Sequence, residues 1–182
     1  MDEPLINSND RSILESLDVL LELDGVRAAI DPIVERVERN LAQDEGAVMA
    51  WEPIPLAIYG ESVPPSIRSS WVFILRKGAT TGAERHPNSI QRMMSYRGRG
   101  DIQTGGPGRW LSHPLVAEPN ADFDRRWHSI PINVWHQCVV PTVANWVVVS
   151  FHTVPAEDLI EERPDADDVG HTRQKRYLSG AE

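Results

Sequence analysis

Two amphipathic stripes open the chain. Ile13, Leu14, Leu17, Leu20 and Leu21 recur at the i, i+1, i+4, i+7, i+8 spacing that a helix gathers onto one face. Asn9 or Asp10 stands where an N-cap side chain would accept the first free amides. After Asp24-Gly25 a second stripe, Ile30, Ile33, Val34, Val37 and Leu41, predicts a second helix, with Asp31 as cap and Pro32 at the tolerated first position. Two such helices need an apolar surface to cover, either the rest of the chain or a second copy of it. Recruitment of another partner is the alternative use.

From residue 47 the pattern shortens to runs rich in branched and aromatic side chains. Ala47–Tyr59, Ser70–Arg76, Gly82–Asn88, Gln91–Tyr96, Asp101–Thr104, Arg109–Leu111, Arg126–Ile130, Val134–Val140 and Asn145–Thr153 read as strands. Turn signals separate them: Gly78, Pro87-Asn88, Gly98, Gly100, Gly105-Gly106-Pro107-Gly108, Pro131 and Pro141. Short strands with no helical pattern between them predict a sandwich or barrel rather than a parallel sheet. The tail predicts one helical turn near Ala156–Glu162 and, beyond Pro164, a loose polar segment or one lying over a neighbour. The chain thus divides into a helical extension (1–46), a β body (47–154) and an acidic tail (155–182).

Charge sharpens that division. The 182 residues carry a net charge of −9. Residues 1–46 hold 12 acids against 4 bases, 47–154 hold 7 against 10, and 155–182 hold 8 against 4. An acidic total argues against nucleic acid or an anionic membrane as partner, since both repel it. No apolar run approaches the ~20 residues that cross a bilayer. The opening MDEPLINSNDRS lacks the basic-then-apolar order of a secretory signal, so the expectation is a soluble, cytoplasmic protein. Cys138 is the only cysteine, which excludes an intramolecular disulfide and a cysteine-built zinc site.

Candidate chemistry comes from the strands. Glu84 and His86, two apart, share a face; Gln91 opens the next strand and His136 sits on a later one. Two imidazoles and a carboxylate converging there would suit a divalent transition metal with open positions. Asn88, on the same face, is the competing ligand in place of Glu84. Without metal, the same histidines could donate to backbone carbonyls and the glutamate could complete a buried ion-pair network. Alternation turns Val134 and Cys138 inward with His136, and Met93 and Ser95 inward with Gln91, as pocket-lining residues. Arg92 and Tyr96 turn outward. Cys138 reads as an inert buried thiol, and Trp71, Trp127 and Trp135 as core or interface aromatics. Arginines 92, 97, 99, 109, 125 and 126 are solvated or pair with acids of the helical front or a neighbouring subunit, or else draw an anionic substrate to the barrel mouth. Gly98-x-Gly100 precedes a strand rather than a helix, so it is no dinucleotide loop, and no nucleophile elbow, P-loop or H-E-x-x-H occurs. His113, His128 and His152 belong to no motif.

The wider spacing is more specific. Gly78, Glu84, His86, Gln91 and Gly98 stand as G-x5-E-x-H-x4-Q-x6-G, which resembles the first cupin motif, G-x5-H-x-H-x3–4-E-x6-G. Pro131, Asn133 and His136 stand as P-x-N-x2-H, which resembles the second, G-x5-P-x-G-x2-H-x3-N. The resemblance covers residues 47–154. It implies a double-stranded β-helix, the cupin or jelly-roll barrel, here preceded by two amphipathic α-helices. The departures are that Glu84 replaces a histidine and Gln91 a glutamate, while Arg125, Asn133 and Val140 replace two glycines and an asparagine.

By resemblance the metal set is Glu84, His86, Gln91 and His136, again one carboxylate among neutral donors. Gln91 is the weakest donor and could instead hold a bound water or ligand. Fe(II) or Mn(II) is then favoured, with Zn or Ni as alternatives. What the resemblance implies for activity is a metal-dependent cupin enzyme acting on a small organic molecule, anionic ones included, in an oxygen-dependent oxidation or cleavage. Isomerases and lyases share the family, and a non-catalytic small-molecule binding or sensing module is the alternative. Cupins commonly pair through their sheets, so a homodimer is expected.

Overall fold

A computed structural model describes residues 8–106, 108–168 and 170–180. The residues before Ser8, and Pro107 of the glycine-rich turn, lie outside the described residues. Helices α1 (Ser8–Glu22) and α2 (Asp24–Gln43) come first. The strands are β1 (Met49–Ile54), β2 (Ser69–Leu75), β3 (Gln91–Arg97), β4 (Arg99–Gly105), β5 (Leu111–Val116), β6 (Trp127–Ile130), β7 (Trp135–Val139), β8 (Trp146–His152), β9 (Ile160–Pro164) and β10 (Thr172–Arg176). All named strands pair antiparallel, in sheets ordered β1-β2-β8-β3-β6, β5-β4-β7 and β10-β9. Residues 79–86 join the two smaller sheets. Glu84 exchanges both backbone hydrogen bonds with His136, and Arg85 does the same with Glu162. The five-stranded sheet and this composite sheet close on each other as a jelly-roll β-barrel, the double-stranded β-helix that the motif spacing implies.

Two cores explain the strand patterns. Val72, Ile74, Met94, Tyr96, Val147, Val149 and Phe151 face α1 and α2, while Trp71, Phe73, Leu75, Met93, Ile102, Trp146 and Val148 fill the barrel. The large sheet is therefore buried on both faces, and β2 and β8 are apolar almost throughout, as such strands must be. The helices pack on their own barrel: Leu14, Leu17, Leu21, Ile30, Val34, Val37 and Leu41 are almost fully buried. Ion pairs fix them there. Asp10 meets Arg92 at 2.6 Å, Asp18 meets Arg126 at 2.6 Å, and Asp31 meets Arg97 at 2.8 Å. Three of the six arginines singled out above thus serve the acidic front, whereas Arg99, Arg109 and Arg125 are exposed.

The elements depart from the sequence expectations in several places. Asn9 and Asp10 lie inside α1 rather than capping it, and the strand expected over Ala47–Tyr59 is confined to Met49–Ile54, followed by 3-10 turns over Leu56–Ser62. α2 begins at Asp24 and carries Pro32 inside it. Val26 already belongs to the buried stripe, so burial outweighs the lost amide, and Asp31 accepts a hydrogen bond from the Tyr96 hydroxyl at 2.7 Å rather than capping. Residues 82–88 form isolated bridges instead of a ladder. The strand expected at Arg109–Leu111 starts only at Leu111, because Gly105, at φ +127°, and Arg109 close a tight turn. The tail is neither loose nor mainly helical. After a short 3-10 turn, Ala156–Asp158, it forms the β9–β10 hairpin and drives Tyr177 into the barrel core.

Candidate metal centre

The motif glycines act through their backbone. Gly78 (φ +76°) and Gly98 (φ +80°) both lie in the left-handed region that glycine occupies without penalty. Asn133 is the one non-glycine residue there among those described, at φ 64°, and asparagine tolerates that region better than most side chains. It stands where the cupin motif has glycine, and its amide donates to the His86 carbonyl at 3.0 Å. That substitution therefore preserves the turn that brings β7 beside residues 84–86.

Between them these segments gather Glu84, His86 and His136, whose ligand-type atoms all lie within 4.8 Å of one another. His86 Nδ1 donates to the Ile160 carbonyl at 2.9 Å, and His136 Nδ1 to the Val134 carbonyl at 3.1 Å. A carbonyl can only accept, so each hydrogen bond takes an Nδ1 proton, and each ring in its neutral form turns an Nε2 lone pair to the site. His136 Nε2 is buried, has no hydrogen-bond partner, and sits 3.5 Å from Glu84 Oε1. Burial, and next to it the proximity of His136, lowers the basicity of His86 and favours its neutral imidazole. Burial alone would raise the Glu84 pKa, but contact with His136 and the Arg163 guanidinium outweighs it and holds the carboxylate ionised. An anionic oxygen beside imidazole lone pairs is the donor set a divalent cation requires. The residues present therefore fit a metal ion.

The other predicted residues fall into two groups. Gln91, Met93 and Cys138 line a cavity of about 20 Å3 with Glu84 and His136, space for about one water. Gln91 Oε1 is buried there without a partner. The Cys138 thiol is pushed up by burial and by the charges of Glu84 and Asp101, which makes it an inert thiol. Asn88, Ser95 and Val134 are not brought into the cavity. Asn88 clamps the tail, donating to the Asp158 carbonyl at 2.7 Å and accepting from the Ile160 amide at 3.2 Å. Ser95 accepts from Trp146 Nε1 at 2.8 Å and donates to the Gly98 carbonyl. Val134 packs against the barrel core. Arg92 and Tyr96 face the helices, as alternation requires.

Further residues of the centre escaped the sequence reading. His152 presents a ring perpendicular to that of His86 at 5.1 Å. Its Nδ1 lies 3.2 Å from Ser89 Oγ, and its buried Nε2 has no partner. The alternation of β8 would have placed it inward with Val148 and Ser150. The tail supplies Arg163, in contact with Glu84, and Tyr177, packed on Trp51, Trp71 and Phe73 and 6.5 Å from His86. A larger open groove, about 480 Å3, lies by Arg99 and Glu118, away from these residues.

No protein-family model matches the chain, and no curated protein matches it in sequence. Solved structures do match in shape. The capsular polysaccharide assembling protein CapF of Staphylococcus aureus is 12% identical over 61% of this chain and 29% of its own, with a TM-score of 0.48. Oxalate decarboxylase of Lactobacillus farciminis is 12% identical over 62% and 30%, at 0.46. An oxalate oxidase in complex with the substrate analogue glycolate is 17% identical over 60% and 53%, at 0.44. The chain thus spans about a third of the first two proteins and about half of the third.

Proposed function

We propose that this protein is a metal-dependent enzyme of the cupin type that acts on a small organic molecule. Glu84, His86 and His136 would hold the ion, Fe(II) or Mn(II) in preference to Zn or Ni, and the reaction class we favour is oxygen-dependent oxidation or cleavage. One observation carries the reading: an ionised carboxylate and two imidazoles whose Nδ1 atoms bond backbone carbonyls converge within 4.8 Å in the barrel interior. Asn88 is occupied by the tail, which leaves Glu84 as the carboxylate donor. A bound divalent ion would supply Lewis acidity and a template for substrate. The chain's own residues would do the rest. His86 and His136 present lone pairs, Gln91 Oε1 accepts a hydrogen bond from the bound molecule, and Phe73, Met93 and Ile102 exclude bulk water.

A small-molecule ligand, a homodimer and a cytoplasmic setting belong to the same proposal. The second reading, a non-catalytic binding or sensing module, is favoured by the small cavity and by the contact of Arg163 with Glu84. Oxygen uptake by Fe(II)- or Mn(II)-loaded protein, screened against small hydroxy acids, keto acids and alcohols, separates the two. The enzyme reading expects uptake with at least one class, falling at least about 100-fold in His136→Ala. Tight metal binding without turnover of any class would favour the module.

A further inference from the structure

We propose that Arg163, on the C-terminal hairpin outside both barrel motifs, is a residue that sets the metal affinity of the centre. Its guanidinium is a built-in cation on Glu84 that an incoming divalent ion must share or displace, so it limits how tightly the site holds metal. This deepens the metal reading above and rests on it.

The guanidinium is held from three sides. Nη2 donates to Glu84 Oε2, Nη1 to the Thr81 carbonyl at 3.2 Å, and Nε to Glu161 Oε1 at 2.7 Å. The opposite oxygen of Glu84 faces His136 Nε2 at 3.5 Å. One carboxylate therefore faces two ways, Oε2 to the guanidinium of the hairpin and Oε1 to the ligand cluster. The Glu84 side chain is only 13% exposed and that of Arg163 32%, so water screens the repulsion between guanidinium and metal less than it would at the surface. A carboxylate already sharing its charge with a guanidinium also offers less negative charge to an incoming cation. Glu161, in turn, is 2% exposed and lies 3.3 Å from Lys175. When a metal claims Glu84, the guanidinium keeps Glu161 and the Thr81 carbonyl, so its charge is not stranded. The same engagement means that Arg163 is not free to bind an anionic substrate.

The test is Mn(II) affinity of the full chain at neutral pH, measured by titration calorimetry and by the electron paramagnetic resonance of free Mn(II). Arg163→Gln should bind at least tenfold more tightly than wild type. Arg163→Lys, which keeps the charge, should stay within about threefold. Glu161→Gln, which leaves Glu84 as the carboxylate partner of the guanidinium beside the Thr81 carbonyl, should bind several-fold more weakly. Opposite directions in two neighbouring variants are not expected of a purely structural role. Equal or weaker binding by a folded Arg163→Gln, with wild type still binding, overturns the inference and leaves the metal reading standing. If Arg163→Gln does not fold, unchanged affinity in Glu161→Gln overturns it. Failure of wild type and every variant to take up Mn(II) would sink the metal reading, and this inference with it.

Discussion

Asn133 stands where the cupin motif places glycine, with its backbone at φ 64°. The turn needs a residue that tolerates the left-handed region, and the identity of that residue matters less than its permissiveness. Asn133→Gly should thus fold with stability within about 1 kcal/mol of wild type. Asn133→Ile should cost about 1–2 kcal/mol, because a β-branched side chain is strained at positive φ, and denaturant unfolding would read the difference. Gly100 is constrained differently. A Cβ there would lie 2.0 Å from the Trp146 ring, so this glycine makes room for a core tryptophan rather than for a turn.

Among the elements, α1 shows why an acidic amphipathic helix needs specific partners as well as an apolar face. Asp18 Oδ2 accepts from Arg126 Nη2 at 2.6 Å, and Oδ1 accepts from the indole Nε1 of Trp127 at 2.7 Å. Asp18→Ala should cost about 2–4 kcal/mol, since it leaves a guanidinium and an indole N–H largely buried without their acceptor. Thermal unfolding of the variant checks this, and a change under about 0.5 kcal/mol would contradict it.

The same elements mark how much was legible in the sequence. Both helical stripes, the strand succession and the inward face of β3 were readable, because Gln91, Met93 and Ser95 alternate with Arg92, Met94 and Tyr96. Strand β8 hid His152, since burial on both faces erases the polar alternation that assigns a side. The hairpin was hidden for another reason. The hairpin is held by ion pairs, Arg85–Glu162 to the neighbouring segment and Lys175–Glu161 between its strands, and a charged sequence looks the same solvated or paired. A lone Tyr177 gave no periodic signal.

At the scale of the whole molecule, the barrel encloses more histidine than its motifs demand. His128 stacks on His113 at 4.1 Å, and burial, then the proximity of His113, lowers its pKa from 6.5 to about 3. The unfolded chain would bind a proton at this residue from pH 6.5 downward while the folded chain refuses it. Stability should therefore fall as pH drops from about 6.5 toward 3, by roughly 2 kcal/mol at pH 5 from His128 alone. His152, fully buried, shifts in the same direction. Urea midpoints at pH 7.5, 6 and 5 should decline in wild type and decline less in His128→Gln. A flat wild-type profile would contradict the burial described.

The proposed metal centre in the barrel interior stands on Glu84, His86 and His136. Its most direct test is metal analysis of wild type and His136→Ala, both purified without chelator or affinity nickel. Near-stoichiometric iron, manganese or zinc is expected in wild type and is lost in the variant. A wild-type protein that is metal-free, and takes up neither Fe(II) nor Mn(II) on incubation, would contradict it.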